Sequence, residues 1–392
     1  MDTQQPLQLL GGLSPQQFMK RHWQKKPLFL PAALPENFLA LTPADLFKLA
    51  GSADVESRLI SRKRTRSRWH YRAEEGPFKR ENFIQYKNQS DWTLLVQRVN
   101  EWLPHVDLLL EYFGFIAAWR IDDIMVSYAA PGGTVGAHLD NYDVFLCQLQ
   151  GERTWQFSER PSAEEHLEAN QPVRLLTDFK ADKTVHTKPG DVLYVPPRFA
   201  HYGVADSECI TVSVGFRAPR LERLMGIFFD EVFPTLGEQF YTDKGAAVQK
   251  LSGQFSEPAL AHLVAQAKSG LQLLSKQSPT ESLNDALLRD LSHTPNAQLG
   301  TRSRLTQAQF AARWRKQPLQ RNPRNQYFYR VSAGTATLYS AGESFALPAA
   351  QSRLIAALCN ERIFRCTAAH LKPQALEFWH EMFLLGFVFF PK

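Results

Sequence analysis

Between Trp119 and Arg217 the chain is a succession of short segments, some alternating apolar with polar residues and some wholly apolar, set apart by Pro and Gly. That is the pattern of a double-sheet β-barrel, and everything else in the chain has to be fitted round it.

Inside this stretch residues 128–145 read Y-A-A-P-G-G-T-V-G-A-H-L-D-N-Y-D-V-F. Side chains two apart on a strand share a face, so the His138 imidazole and the Asp140 carboxylate converge while Leu139 points away. One imidazole and one carboxylate suit a borderline divalent ion, and a second histidine completes the two-His, one-carboxylate facial triad of non-haem iron oxygenases. His201 is the candidate. It follows K-P-G-D-V-L-Y-V-P-P-R-F-A, in which Pro189-Gly190-Asp191 reads as a tight turn, Val192 to Val195 as a buried strand and Pro196-Pro197 as its end. An H-x-D or a lone histidine is commonplace; the three in this order and spacing are not.

These segments, with Arg120-Ile121-Asp122-Asp123, G-E-R-T-W at 151–155 and S-V-G-F-R-A-P at 213–219, resemble the JmjC-type ribosomal oxygenases. The likeness is greatest to the bacterial branch, which hydroxylates an arginine of ribosomal large-subunit protein sixteen. It is densest from Trp119 to Pro219 and continues at the N-terminus in F-M-K-R-H-W-Q-K-K-P-L-F-L; beyond Arg220 only the order of domains is comparable.

The resemblance implies an α+β chain: a double-stranded β-helix (cupin-like JmjC) barrel, a helical dimerisation region and a C-terminal winged-helix-like domain, at residues 1–219, 220–300 and 301–392. It implies an Fe(II)- and 2-oxoglutarate-dependent dioxygenase that hydroxylates an arginine at the 3-position. His138, Asp140 and His201 would hold iron, with three adjacent positions left for 2-oxoglutarate and O2. Arg153 matches the position that meets the distal carboxylate of 2-oxoglutarate, for which a guanidinium offers two parallel hydrogen bonds. Its parity with Trp155 and Phe157 suits a barrel interior. Ser127 matches a co-substrate position, and Ser213 offers a second hydroxyl.

A basic substrate calls for an acidic rim. Asp122, Asp123, Asp143 and Glu152 cluster in sequence round the metal pair, and Tyr142 can stack on a guanidinium. A histidyl hydroxylase or a demethylase of the same class fits these residues too. A nucleic-acid-binding protein with an inactive barrel is favoured by the basic segments and disfavoured by the complete triad.

At 392 residues and 44% hydrophobic content the chain can bury two or three domain cores. Four cysteines without a C-x-x-C pair, and no apolar run of membrane-spanning length, predict a reduced cytoplasmic protein without membrane contact. The net charge of +6 is unevenly spread. Arg58, Arg62, Lys63, Arg64, Arg66, Arg68 and Arg72 crowd one stretch, and Thr301 to Arg330 holds eight basic residues and no acidic one. Solvated surface is one account; contact with the phosphates of ribosomal RNA is the other.

Ser14-Pro15-Gln16-Gln17 forms a capping box that opens a helix, Leu28–Leu30 reads as a strand, and Thr42 to Asp45 starts a second helix. Asp91 is expected to begin a helix with Trp92, Leu95, Val96, Val99 and Trp102 on one face. His166 and His186 are expected at the surface. Beyond Pro219 apolar residues recur at helical spacing in Leu221 to Val232, in Leu260 to Leu274 after Ser256-Glu257-Pro258, and in Leu283 to Leu291 after Ser278-Pro279-Thr280-Glu281. Such stripes usually pack within one chain; the resemblance implies a homodimer through them. From Leu305 a helix, strands Tyr327 to Val331 and Thr335 to Tyr339, a helix near Arg353 to Cys359 and a last helix Pro373 to Leu385 resemble a winged helix. Its last helix carries Glu377 and Glu381 but no basic residue, which suits a structural more than a groove-reading role.

Overall fold

The computed structural model describes residues 3–391 apart from 67, 87, 163–166, 170, 238–256, 277–279 and 302. Ser256, Ser278 and His166 therefore lie outside the described residues, as does Arg302 of the second basic segment.

In the first half the strands are β1 (Leu28–Leu30), β2 (Ser57–Thr65), β3 (Arg68–Glu75), β4 (Trp92–Val96), β5 (Ile121–Ala129), β6 (Asp143–Gln150), β7 (Arg153–Pro161), β8 (Lys183–Thr187), β9 (Val192–Val195), β10 (Phe199–Ala205) and β11 (Cys209–Phe216). They form a large antiparallel sheet ordered β1-β9-β6-β11-β5-β4-β2-β3 and a small one ordered β10-β7-β8.

Period-two alternation assigns each residue its side. On β11, Ile210, Val212, Val214 and Phe216 point out of the barrel, into a core shared with Phe145, Cys147, Ile124, Val126 and the N-terminal residues Phe18 and Trp23. The alternate residues, Thr211, Ser213 and Gly215, point inward. Between the two sheets Val144, Leu146, Trp155, Phe157, Leu193 and Phe199 form a second apolar cluster. Each such fully buried side chain contributes roughly 1.5–3 kcal/mol, so both faces of the large sheet are anchored.

The N-terminal helices follow their capping signals. Helix α1 (Pro15–Arg21) has the reciprocal Ser14–Gln17 cap, and α2 (Pro43–Ala50) the equivalent Thr42–Asp45 cap. The segment after Asp91 departs from expectation. Trp92–Val96 is a strand paired with both β2 and β5, and only Val99–Trp102 turns helical. Asp91 (φ +64°) and Arg98 (φ +53°) bracket the strand. A short apolar run buried on both faces carries no period that separates strand from helix, and the sheet on either side supplies the partners that decide it.

Past the barrel come helices at Leu221–Val232, Glu257–Ser275 and Glu281–Ser292. The last is capped by Thr280, whose hydroxyl accepts from Leu283 N. Ile227, Val232, Leu274 and Leu283 make a small core, whereas Leu260, Leu263, Val264 and Leu271 stand exposed.

The C-terminal part packs helices Gln307–Trp314, Ser352–Asn360 and Pro373–Leu384 round a meander of Phe328–Ser332, Thr335–Ser340 and Glu343–Pro348. Phe310, Trp314, Trp379, Phe383 and Phe387 fill its core. The strand Glu343–Pro348 was not foreseen, nor was the small sheet in which Leu319–Arg321 pairs with Ile363–Phe364 and Val388–Phe389. The last helix turns Phe378 and Trp379 inward and leaves Glu377 and Glu381 in solvent. No helix among the described residues is long and apolar enough to cross a membrane.

Candidate metal centre

The loop after β5 brings the chain round at Pro131-Gly132-Gly133 and lays residues 134–142 across the barrel mouth. Gly136 has φ +89°, and a Cβ there would lie 2.0 Å from Leu175 Cδ2, so the bend needs a residue without a side chain. Two residues on, His138 forms an isolated antiparallel bridge with His201 of β10.

His138, Asp140 and His201 converge, with one ligand atom of each within 4.8 Å of the others. Asp140 Oδ2 lies 3.9 Å from His138 Nε2 and 3.7 Å from His201 Nε2. Nδ1 of His138 is 3.0 Å from the Gly136 carbonyl, and Nδ1 of His201 is 3.1 Å from the Phe199 carbonyl. A carbonyl only accepts, so both Nδ1 atoms are the donors and both Nε2 lone pairs face Asp140. Burial, reinforced by the neighbouring His138, pushes the His201 imidazole down to about 4. It is neutral at pH 7 and fit to be a ligand. Among the described residues no other His, Cys, Asp or Glu group converges in this way, Cys359, Cys366 and His370 included.

Behind the triad is a cavity of about 100 Å³ between the sheets, lined by Leu95, Gln97, Asp123, Met125, Ser127, Tyr142, Arg153, Trp155, Thr211 and Ser213 among others. Arg153 is buried at 5% exposure, and its Nε and one terminal nitrogen have no hydrogen-bond partner. Leaving a guanidinium dry and unpaired costs several kcal/mol, so an anion is the complement this end of the cavity lacks. Ser127 and Ser213 are buried beside it. The donor set thus fits a divalent iron, and the orphaned guanidinium fits the carboxylate of a keto acid bound to it.

The acidic rim is only partly as expected. Asp143 is fully buried on the outer face of β6: it accepts from Tyr194 Oη at 2.6 Å and Gln24 Nε2 at 3.0 Å, and pairs with Arg120 at 3.2 Å. It ties β6 to β9 and the N-terminal region and does not reach the cavity. Parity explains this, since Tyr142 and Val144 point in and Asp143 must point out. Asp122 likewise faces outward, its carboxylate 3.5 Å from Arg98 in a small polar cavity with Asn100 and Arg321. Glu152 is exposed in the β6–β7 turn and lines no part of the metal cavity.

Asp123 does point in. Burial, with the like charge of Asp122, pushes its carboxyl up to about 6. Tyr142 sits at the mouth, 37% exposed. Burial and the Asp140, Asp123 and Asp122 carboxylates raise its phenol far above the ordinary range, and its hydroxyl bonds Asp140. Gln97, Met125 and Thr211 were missed in the sequence. Inward parity on β5 and β11 could have found the last two, but Gln97 was hidden by reading β4 as a helix. His186 is exposed and bonded to Thr154, as expected.

Two facing antiparallel sheets with a His-Asp-His cluster at one mouth have the JmjC-type, cupin-like fold, and residues 108–224 match the family model described as the JmjC domain. Over that stretch the chain is similar to the JmjC domain. It is similar to bacterial ribosomal oxygenases: 40% identical over 216 residues to the "Probable ribosomal oxygenase" of Haemophilus influenzae, and 39% over 229 residues to the "Ribosomal protein uL16 3-hydroxylase" of Escherichia coli. These matches cover 54% and 58% of this chain and span a little over half of each relative, 52% and 59%. The structure of "YcfD a Ribosomal oxygenase from Escherichia coli in complex with Cobalt and 2-oxoglutarate" superposes with a TM-score of 0.73 at 27% identity, covering 96% of this chain and 97% of that one.

Proposed function

We propose that the protein is an Fe(II)- and 2-oxoglutarate-dependent oxygenase that hydroxylates the 3-position of an arginine side chain in ribosomal large-subunit protein sixteen. The observation that carries this is one cavity with the His138, Asp140 and His201 donors at its mouth and the unpaired Arg153 guanidinium inside it. The likeness to the ribosomal protein uL16 3-hydroxylase of Escherichia coli supports the substrate.

On this reading His138, Asp140 and His201 hold the iron, Arg153 pairs with the distal carboxylate of 2-oxoglutarate, and Ser127 and Ser213 offer hydroxyls along its length. When bound, iron with 2-oxoglutarate and O2 supplies the oxidant for C–H hydroxylation, releasing succinate and carbon dioxide. Trp155, Met125 and Leu146 wall the cavity against water. Asp123 and Tyr142 receive the substrate guanidinium, holding its aliphatic stem toward the metal.

The division into a catalytic unit (1–219), a helical dimerisation region (220–300) and a winged-helix-like domain (301–392) belongs to the same proposal. The exposed stripe Leu260, Leu263, Val264 and Leu271 supports a homodimer. The protein works in the cytoplasm, with ribosomal RNA as a neighbour of its substrate.

The test is a basic peptide from the ribosomal protein with arginine, lysine, histidine or methyl-lysine at the target position, incubated with iron, 2-oxoglutarate and O2. Mass spectrometry should find one added oxygen on the arginine peptide alone. Oxidation of the histidine peptide or loss of methyl overturns the arginine assignment in favour of the corresponding chemistry.

A further inference from the structure

The two basic segments of the sequence are put to different uses. In the segment 301–330, Arg321 is buried and donates to the Leu358 and Cys359 carbonyls. Arg324 lies 4.3 Å over the Trp102 ring and Arg313 4.5 Å over Phe390, while Arg330 is paired with Glu281. These four cations already have partners within the chain, while Arg304, Arg315 and Lys316 of this segment are exposed.

The β2–β3 hairpin is different. It forms the free edge of the large sheet. Its root is neutralised, Arg58 by Glu75 at 2.7 Å and Arg72 by Glu74 at 3.4 Å. Arg62 is spent as a latch: it pairs with Asp91 at 3.1 Å, donates to Tyr202 at 2.6 Å and lies 4.0 Å over Trp69. Residues 62–72 contain six Lys and Arg and no Asp or Glu. Four of them, Lys63, Arg64, Arg66 and Arg68, are exposed, and among the described residues none meets a carboxylate. The pairing register sets Lys63 opposite His70, Arg64 opposite Trp69 and Thr65 opposite Arg68, so cations occupy both faces of the arm.

We infer that the tip of the β2–β3 arm is a phosphate-backbone clamp for RNA, held beside the metal centre. Like charges this dense repel one another and persist at a cost that a polyanion removes. Residues two apart on a strand repeat every ~6.8 Å, the scale that separates successive phosphates of one strand. Residues 63–68 include no Leu, Ile, Val, Met or Phe to enter a bilayer, which favours RNA over a lipid surface. The position is also right. Trp69 and Tyr71 share a cleft with Ala137 and Tyr202, the neighbours of metal-site residues His138 and His201, so RNA on the arm flanks the mouth at which a ribosomal protein would enter. This rests on the proposed function only for its biological meaning; binding itself does not require it.

The full-length protein is titrated into a fluorescein-labelled 20-nucleotide oligoribonucleotide of mixed sequence, followed by anisotropy from 50 to 200 mM KCl. The variant Lys63→Glu/Arg64→Glu/Arg66→Glu/Arg68→Glu is compared with a control, Arg313→Glu/Arg315→Glu/Lys316→Glu. The arm variant should bind at least tenfold more weakly, with a log–log salt slope smaller by roughly 3, as expected for about four lost contacts to single-stranded phosphates. The control should stay within about twofold. Equal loss in both variants, no binding by the unaltered protein, or equal binding of polyglutamate or of phosphatidylserine vesicles overturns the inference. A circular dichroism melt excludes misfolding of the arm variant, and its turnover of an isolated peptide should be unchanged. If no peptide is turned over but the RNA result holds, the proposed function fails and the clamp stands.

Discussion

His138 and His201 bind each other through the backbone, each N–H donating to the other's carbonyl at 3.0 and 2.9 Å, with their rings 4.2 Å apart. The two imidazoles are thus brought together by a strand-like backbone pairing, and the third donor, Asp140, is added by the next turn of loop.

Removing the third donor should therefore leave the frame standing. Asp140→Ala is expected to lower iron content to background and abolish succinate formation. Asp140 is 19% exposed and bonded by the Tyr142 hydroxyl, so folding stability should change by about 1 kcal/mol, the scale of one hydrogen bond. Iron analysis beside a thermal melt reads both. Retained iron with normal succinate output would show that the cluster is not the site.

Arg153 gives an opposite pair of signs. Its guanidinium is buried without partners for two of its nitrogens, so Arg153→Met should stabilise the co-substrate-free protein. The same change should weaken 2-oxoglutarate binding by roughly 2–5 kcal/mol, the cost of truncating one member of a buried charge pair. Arg153→Lys should lose less, keeping the charge without the fork. Calorimetric titration of 2-oxoglutarate into anaerobic protein checks the affinity, and unaltered binding by the Met variant would rule out the anchor role.

What the sequence made legible follows from how local each signal is. The capping boxes at Ser14 and Thr42, the Gly-rich turn before His138 and the inward parity of Arg153 with Trp155 are read from a few neighbouring residues, and the structure keeps all of them. The errors came where the answer lies in tertiary partners. Trp92–Val96 is largely buried on both faces and takes its strand identity from β2 and β5 on either side. Asp143 was grouped with Tyr142 by proximity in sequence, although alternation on β6 puts the two on opposite faces. Gln97 carries no motif and joins the cavity only because β4 does.

Asp143 supplies a direct contrast between structural and rim carboxylates. Asp143→Ala leaves the Arg120 charge buried and the Tyr194 hydroxyl unpaired, and should cost roughly 3–5 kcal/mol of stability. In molecules that remain folded, the KM for a basic peptide should not move. A large rise in KM without a fall in melting temperature would return Asp143 to the substrate rim.

The helical stripe can be tested through its own asymmetry. Leu263 is 38% exposed in one copy, whereas Phe228 packs against the small core of Ile227, Val232, Leu274 and Leu283. Leu263→Arg should keep the helical circular dichroism signal and shift sedimentation from dimer to monomer, since it buries an unpaired charge only where two copies meet. Phe228→Arg should destabilise the chain itself. A Leu263→Arg protein that sediments like the unaltered one would remove this face from the dimer contact.

Asp123 ties pH to recognition. Its carboxyl is raised to about 6 from an ordinary 3.8, so the folded chain holds this proton more tightly than the unfolded chain does. Between about pH 4 and pH 6 the folded state therefore binds more protons, and this group's contribution makes stability fall as pH rises through that window. Above pH 6 the cost of charging is complete, and Asp123→Asn should be the more stable protein by on the order of 2 kcal/mol at pH 8. Recognition runs the other way, because a guanidinium is drawn only by the ionised form. For a basic peptide kcat/KM, which reports groups of the free enzyme, should rise with pH through an apparent pKa near 6 and level off above it. The Asn variant should lack that limb and show a higher KM at pH 8. Superimposable pH profiles for the two proteins would mean that Asp123 does not meet the substrate.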